Sequence, residues 1–322
     1  MFIEQGIKPE NKFWKYIAGS FIIFLASSIG QIPLVIAIFF KSMSNGSPMP
    51  ATQEGMLNYL ELNLTLFLIL FSFVIALIAI YIVVRNIHKQ KFKDIITSRS
   101  KLDKSRIFFS FWLWVILSAI TTLVDYYLNP GSYVLQFDVI KFIPLFLIAI
   151  IMVPIQTSVE ELVFRGYLMQ GFGNLAKNKW FPLVMTSVIF GGMHFANPEV
   201  TRMGYLIMVY YIGTGFFLGI LTLMDEGMEL SLGFHAANNL VGVLLVTADW
   251  TAFQTYSIFK DVSEPSAGID IIIPVVIIFP ILLFIFSKKY KWSDWKNKLA
   301  GPLHLITEEK QPTINQIGQS HD

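Results

Sequence analysis

The chain contains no cysteine. Disulfides, thiolate nucleophiles and cysteine-bound zinc or iron–sulfur centres are thereby excluded together. Charge is scarce as well. Only 14% of the 322 residues are charged, against 54% hydrophobic, whereas soluble domains carry about 25% charged residues. Mean hydropathy is +0.60. This is the composition of a membrane protein. A formal net charge of +2 points to no nucleic-acid partner. Histidine is sparse too, with five in the chain: His88, His194, His235, His304 and His321. Two of them, His194 and His235, fall inside apolar stretches. No repeat or low-complexity tract stands out.

Long apolar runs make up most of what is present. A spanning helix needs about 20 mostly apolar residues. Eight segments are read on that rule: 15–40, 62–84, 107–128, 140–168, 180–196, 203–223, 230–248 and 268–287. The fifth and seventh are short or mildly polar. The expected fold is therefore all-α, a polytopic membrane bundle of about eight transmembrane helices. The first segment is too long for a cleaved signal peptide and is read as a retained helix. Four regions follow: helices of 1–130 with a basic loop at 85–106, a polar-bearing core at 140–248, a last helix and juxtamembrane segment at 268–300, and a polar tail at 301–322.

Basic residues set the expected orientation. The 85–106 linker holds eight: Arg85, Lys89, Lys91, Lys93, Arg99, Lys101, Lys104 and Arg106. The C-terminal tail, the N-terminus and the linker with Lys177 and Lys179 fall on the same face by alternation. Both termini are accordingly expected in the cytoplasm of a multi-pass protein of a bacterial cell (inner) membrane. The charge runs are read as retention signals and lipid headgroup contacts. Trp292 and Trp295 suit an interfacial aromatic belt.

Against this background three polar sites stand out. The first is Glu160-Glu161-Leu-Val-Phe-Arg165, at the end of an apolar run (FIPLFLIAIIMV). An ionisable group inside a membrane segment is a functional hypothesis whose partner must be named. Glu161 and Arg165 are four apart and share a helix face, so they can pair. Glu160 lies about 100° round the helix and has no such match. The second site is Phe190-Gly-Gly-Met-His194, and the third is His235-Ala-Ala-Asn238-Asn239. Each has a bland reading: helix–helix hydrogen bonds for the histidines and asparagines, close helix contact for Gly191-Gly192. At 1.5 Å per residue, Glu160 lies roughly 12–15 Å, His194 roughly 20 Å and His235 roughly 8 Å from one end of their helices. Tilts of about 20° can bring them together.

A carboxylate and an imidazole sharing a water form a general-base pair able to direct hydroxide at a carbonyl. His235 and Asn239, four apart, can both donate to a developing oxyanion. Asn238, three from His235, is the less favoured partner. The same Glu160, His194 and His235 could instead hold a divalent metal such as zinc.

EELVFRG, FGGMH and HAANN resemble, in order and spacing, the EExxxR, FxxxH and HxxxN motifs of the CPBP (CAAX protease and bacteriocin-processing, or Abi) intramembrane proteases, which include type II CAAX prenyl proteases and lysostaphin-resistance-like proteins. The resemblance covers about residues 142–246. It implies a membrane endopeptidase with its catalytic CAAX protease/Abi core at 140–248, acting on a membrane-associated or prenylated peptide or protein. Glu160 and His194 would activate water, His235 and Asn239 would bind the oxyanion, and Glu161, Arg165 and Phe190 would support them. No cofactor is then required; a metalloprotease is the alternative. Other intramembrane proteases lack support, since HExxH, GxSG and GxGD are all missing. A transporter or an immunity protein is the non-proteolytic alternative; a transporter would show polar groups along a pathway and often repeats.

Overall fold

The computed structural model describes residues 1–303. The expected polar tail lies outside the described residues from position 304 onward, with His304 and His321. Six helices among the described residues are long and apolar enough to cross a membrane. They are α1 (Phe13–Asn45), α2 (Leu62–Ile87), α3 (Lys104–Leu128), α4 (Val139–Ala176), α7 (Ile207–Asp225) and α9 (Ile269–Tyr290). Between α4 and α7 lie α5 (Trp180–Met193) and the short α6 (Pro198–Met203); α8 (Glu229–Leu244) follows α7. The fifth and seventh apolar segments of the sequence thus form α5 and α8, helices of 14 and 16 residues. At 1.5 Å per residue each covers only about 21–24 Å. Both are shorter than a full span, in keeping with their short or mildly polar segments in the sequence.

Several long helices begin at an acidic cap. Glu61 accepts from the Leu64 amide, Asp103 from Ser105 and Asp138 from Ile140, all within 3.0 Å. Each satisfies an N–H that has no intrahelical partner and places a negative charge at the positive end of the helix dipole. Inside α4, Pro154 lacks an N–H, and Thr157 Oγ1 donates to the Val153 carbonyl at 3.1 Å. Directly after Glu161, residues Leu162–Leu168 widen into a π-helical turn. Such turns arise where local function overrides regular winding.

Two ends of the bundle are distinguishable. At one, Gln5 Nε2 donates to the carbonyls of Asp94 and Thr97, and Lys179 Nζ to that of Asn297, while Lys298 pairs with Glu226. The N-terminal segment, the 85–106 linker, the α4–α5 linker, the α7–α8 turn and residues 294–303 therefore meet there, bringing the basic regions to a common end. An ion cluster locks this end. Arg99 reaches Asp225 Oδ2 at 3.1 Å and Glu229 Oε2 at 2.9 Å, and Arg106 pairs with Asp225 Oδ1. Asp225 and Glu229 are 3% and 0% exposed. The three motifs are thus not the sole buried ionisable groups, and two cations of the basic loop are structural partners as well as orientation signals. At the opposite end sits a small sheet absent from the all-α expectation. It comprises β1 (Tyr133–Leu135), β2 (Val246–Ala248) and β3 (Phe259–Asp261), in the order β1-β3-β2. β1 runs antiparallel and β2 parallel to β3.

The helices that carry the polar motifs approach closely. A Cβ on Gly191 would lie 3.0 Å from the Ile212 backbone of α7, and one on Gly215 would lie 2.7 Å from the Ser187 carbonyl of α5. Gly192 faces open space. The two adjacent glycines therefore differ. Gly191→Ala should lower stability by about 1–3 kcal/mol through overpacking, read as a lower thermal midpoint in detergent. Gly192→Ala should leave the midpoint unchanged or raise it.

Candidate active site

The polar groups of α4, α5 and α8 meet around the ring of Phe190, which is 3% exposed. The Arg165 guanidinium stacks on this ring at 4.2 Å, the His194 ring centroid lies 4.9 Å away, and that of His235 lies 5.9 Å away edge-on. Phe190 is thus a shared wall. It supports the cation on its negative face and shields the cluster from other solvent.

Arg165 and Glu161 are both 0% exposed. Arg165 Nη1 donates to Glu161 Oε1 at 3.1 Å, as the four-residue spacing predicts, and Nη2 donates to the Gly215 carbonyl at 3.2 Å. The close approach that Gly215 allows between α5 and α7 is what brings this carbonyl within reach. Glu161 Oε1 also accepts from His235 Nδ1 at 2.9 Å. The other ring nitrogen, His235 Nε2, lies 3.4 Å from Glu160 Oε2. His235 therefore bridges the two carboxylates across 74 residues of sequence.

Its protonation follows. Glu161 Oε1 already accepts from Arg165, so Nδ1 must be the donor. Nε2 faces Glu160 Oε2 across 3.4 Å. The Arg165 guanidinium offsets the Glu161 charge, since an unpaired buried charge is prohibitively costly. Glu160 thus has a neighbour on α8 that spacing within its own helix does not reveal.

Glu160 has a second neighbour that spacing alone could have suggested. Gln156, one turn earlier and 3% exposed, donates from Nε2 to Glu160 Oε1 at 2.5 Å. The remaining oxygen, Oε2, is buried and makes no hydrogen bond among the described residues. Gln156 Oε1 in turn accepts from Asn239 Nδ2 at 3.0 Å. Asn239 and Glu160 are thus two bonds apart.

His194 caps α5 and turns Nδ1 to the carbonyl of Phe190 at 2.8 Å. Carbonyls of a helix's last turn lack intrahelical partners, and a histidine is suited to take one. A carbonyl only accepts, so Nδ1 carries the hydrogen and Nε2 is left as an acceptor. The ring stacks on Tyr211 of α7, 4.5 Å between centroids. Tyr211 was not singled out from the sequence, where it is one of many aromatics.

The zinc alternative does not assemble. Among the described residues no three histidine, aspartate or glutamate side chains are grouped to hold a metal. Both nitrogens of His235 face carboxylates, and His194 directs one nitrogen at a backbone carbonyl. The proposed ligands Glu160, His194 and His235 do not converge on a point.

One further carboxylate borders this region. Glu199 of α6 accepts from the Ala252 amide at 2.9 Å through Oε1, while Oε2 is buried without a partner. Burial holds its carboxyl above the ordinary carboxylate value of 4.5.

With this geometry in place, comparison with known proteins gives the assignment. The family described as type II CAAX prenyl endopeptidase Rce1-like matches residues 139–241. A relative, the uncharacterized protein YyaK of Bacillus subtilis (strain 168), is 35% identical over 244 residues, covering 76% of this chain and 81% of that one. The chain belongs to the Rce1-like family. No solved structure matches it. The family is one of peptidases, and its members are helical multi-pass membrane proteins, in keeping with the six apolar helices. The matched region contains all three motifs and every residue of the cluster around Phe190.

Two measurements check the electrostatics. Arg165→Met leaves Glu161 buried against His235 alone and should cost about 3–5 kcal/mol, seen as a lower thermal midpoint. Arg165→Lys should recover only part of it, since a point charge cannot also reach Gly215. The second concerns Glu199. Its folded-state pKa lies above its unfolded value, so its contribution to stability is full below the unfolded value and is lost as pH rises through the folded one. Glu199→Gln keeps the acceptor for Ala252 and removes the charge. The thermal midpoint of this variant relative to wild type should therefore rise between pH 4 and pH 8. A pH-independent difference would contradict the assignment.

Proposed function

We propose that this protein is an intramembrane endopeptidase that hydrolyses a peptide bond of a membrane-associated, prenylated or otherwise hydrophobic peptide, with water activated by Glu160 and His194 and no metal required. The observation that carries this reading is the state of Glu160. One of its oxygens is oriented by Gln156, while the other is buried, without a hydrogen bond, and aimed at His235. A carboxylate held in this way is a preoriented acceptor for a water proton. His194 offers Nε2 as a second acceptor, its tautomer set by the Phe190 carbonyl.

In the proposed reaction a water gives a proton to this pair, and its oxygen attacks the scissile carbonyl carbon. The oxyanion that forms is met by donors on α8. Asn239 has one Nδ2 hydrogen on Gln156 and one uncommitted. His235, when protonated, can direct Nε2–H toward the oxyanion. The proton then passes to the leaving amine as the tetrahedral intermediate collapses. Arg165 and Glu161 keep the total charge near zero throughout. Placing the site at depth suits a substrate delivered by the bilayer, and a cytoplasmic orientation of both termini would set the open end of the site on that side. The Bacillus relative is consistent with a bacterial cell membrane.

The test uses purified protein in lipid and a library of farnesylated and hydrophobic peptides. Glu160→Gln and His194→Ala should each lower cleavage by at least about 100-fold, the usual scale of general-base catalysis, with thermal midpoints close to wild type. Activity should persist after chelator treatment and dialysis. Equal cleavage by wild type and both variants would overturn the assignment, and loss of cleavage on chelation restored by zinc would establish a metalloenzyme.

A further inference from the structure

Beyond the charged cluster, a line of hydrogen bonds joins α3, α8 and α4. The Trp114 indole Nε1 donates to Asn238 Oδ1 at 3.2 Å, and the Tyr210 hydroxyl donates to the same oxygen at 3.4 Å. Asn238 Nδ2 donates to Asn239 Oδ1 at 3.2 Å. Asn239 Nδ2 donates to Gln156 Oε1 at 3.0 Å, and Gln156 Nε2 donates to Glu160 Oε1 at 2.5 Å. Three primary amides thus stand between an indole and a carboxylate.

A primary amide has nearly the same shape when turned end for end, so its orientation must be set by neighbours. Here both ends of the line are unambiguous. An indole N–H can only donate, and an ionised carboxylate can only accept. Reversing any one amide would set oxygen against oxygen at one side and N–H against N–H at the other. The polarity of the whole line is therefore fixed from outside it.

We infer that Trp114, Asn238 and Gln156 are positioning residues which select the orientation of Asn239, so that a donor and not an oxygen remains free at the reacting centre. The inference rests on the peptidase reading for its consequence, though not for its geometry. Asn239 Oδ1 is occupied by Asn238, and one Nδ2 hydrogen by Gln156. What Asn239 has left is a single N–H. Turned round, it would present an acceptor to a developing oxyanion and repel it. Asn238, the less favoured partner on spacing from His235, acquires this role through its sequence neighbour instead. Trp114 acts from α3, outside the region in which all three motifs lie.

A purely structural role is the rival account, since the same bonds also staple three helices. The experiment separates the two, using the full chain in lipid nanodiscs with Trp114→Phe, Asn238→Leu, Gln156→Leu and the Asn238→Leu/Gln156→Leu double variant. Gly171→Ala serves as a control. Its added Cβ would press on the Tyr16 ring and lower stability at a contact that holds no member of the line.

The first readout is hydrogen exchange of the Asn239 side-chain amide, followed by NMR on protein labelled with 15N-asparagine. Trp114→Phe should speed it about tenfold, the scale of one lost hydrogen bond, although Trp114 makes no hydrogen bond to Asn239. Exchange unchanged, or quickened equally by Gly171→Ala, overturns the proposal. The second readout is turnover of a quenched-fluorescent farnesylated peptide. Each single variant should lower kcat by about tenfold or more with KM within about twofold. The double variant should fall no further than the worse single, because one break already frees Asn239. Additive losses of thermal midpoint with kcat retained would leave only the staple. If wild type cleaves no peptide, the peptidase reading fails while the exchange result still decides the positioning role.

Discussion

The cluster of Glu160, Glu161, Arg165 and His235 is the constraint to which the rest of this bundle conforms. Two carboxylates placed side by side in an apolar helix need partners. Arg165 comes from the same helix, one turn on. The other partner comes from another helix: the two ring nitrogens of His235 on α8 face the two glutamates. Helices α4 and α8 are thereby locked in one register, because a slip of one residue would turn His235 away from both glutamates. Arg165 extends the lock to α7 through the Gly215 carbonyl, and to α5 through its stacking on Phe190. Small residues at the crossings make this possible. Gly191 and Gly215 let the backbones of α5 and α7 approach to distances at which a β-carbon would collide.

What was legible in the sequence divides along the same line. The Glu161–Arg165 pair was readable, because four-residue spacing on a helix is local geometry. The apolar segments were readable, because lipid imposes a simple length and composition. The partner of Glu160 was not. Spacing says nothing about a residue 75 positions away, so Glu160 looked unmatched until α8 was placed beside it. His194 could be recognised as a special residue, yet its orientation depends on the end of α5, where the helix stops short and leaves the Phe190 carbonyl for the ring to cap. Gln156 carried a signal that was passed over: a glutamine one turn before a carboxylate. Trp114 carried none, since an indole in an apolar helix suits lipid equally well.

The two short helices explain how charged groups are tolerated at depth. Helix α5 covers about two thirds of a hydrocarbon core some 30 Å thick, and α8 little more. Helix ends expose backbone groups that need partners. His194 serves one such carbonyl at the end of α5. At the start of α8, Glu229 accepts from the Asp103 amide and from Arg99. Helix α6 follows α5 directly and sets Glu199, whose Oε2 is buried, near His194.

The ion cluster at the end of α7 and the polar line from Trp114 then belong to one design problem. Helix α8 carries two of the residues proposed to act on the oxyanion, and its placement is fixed at three heights. Arg99 and Arg106 hold its first turn and the preceding α7 terminus through Glu229 and Asp225. Six residues on, His235 is held between two carboxylates. One turn further, Asn238 and Asn239 are held by Trp114, Tyr210 and Gln156. Each restraint alone permits the helix to rotate or slide about its contact. Three at different heights and different angles around the helix permit neither. A helix fixed in this way can present His235 and Asn239 to a reacting carbonyl without reorganisation, which is the condition under which hydrogen-bond donors stabilise a developing charge most effectively.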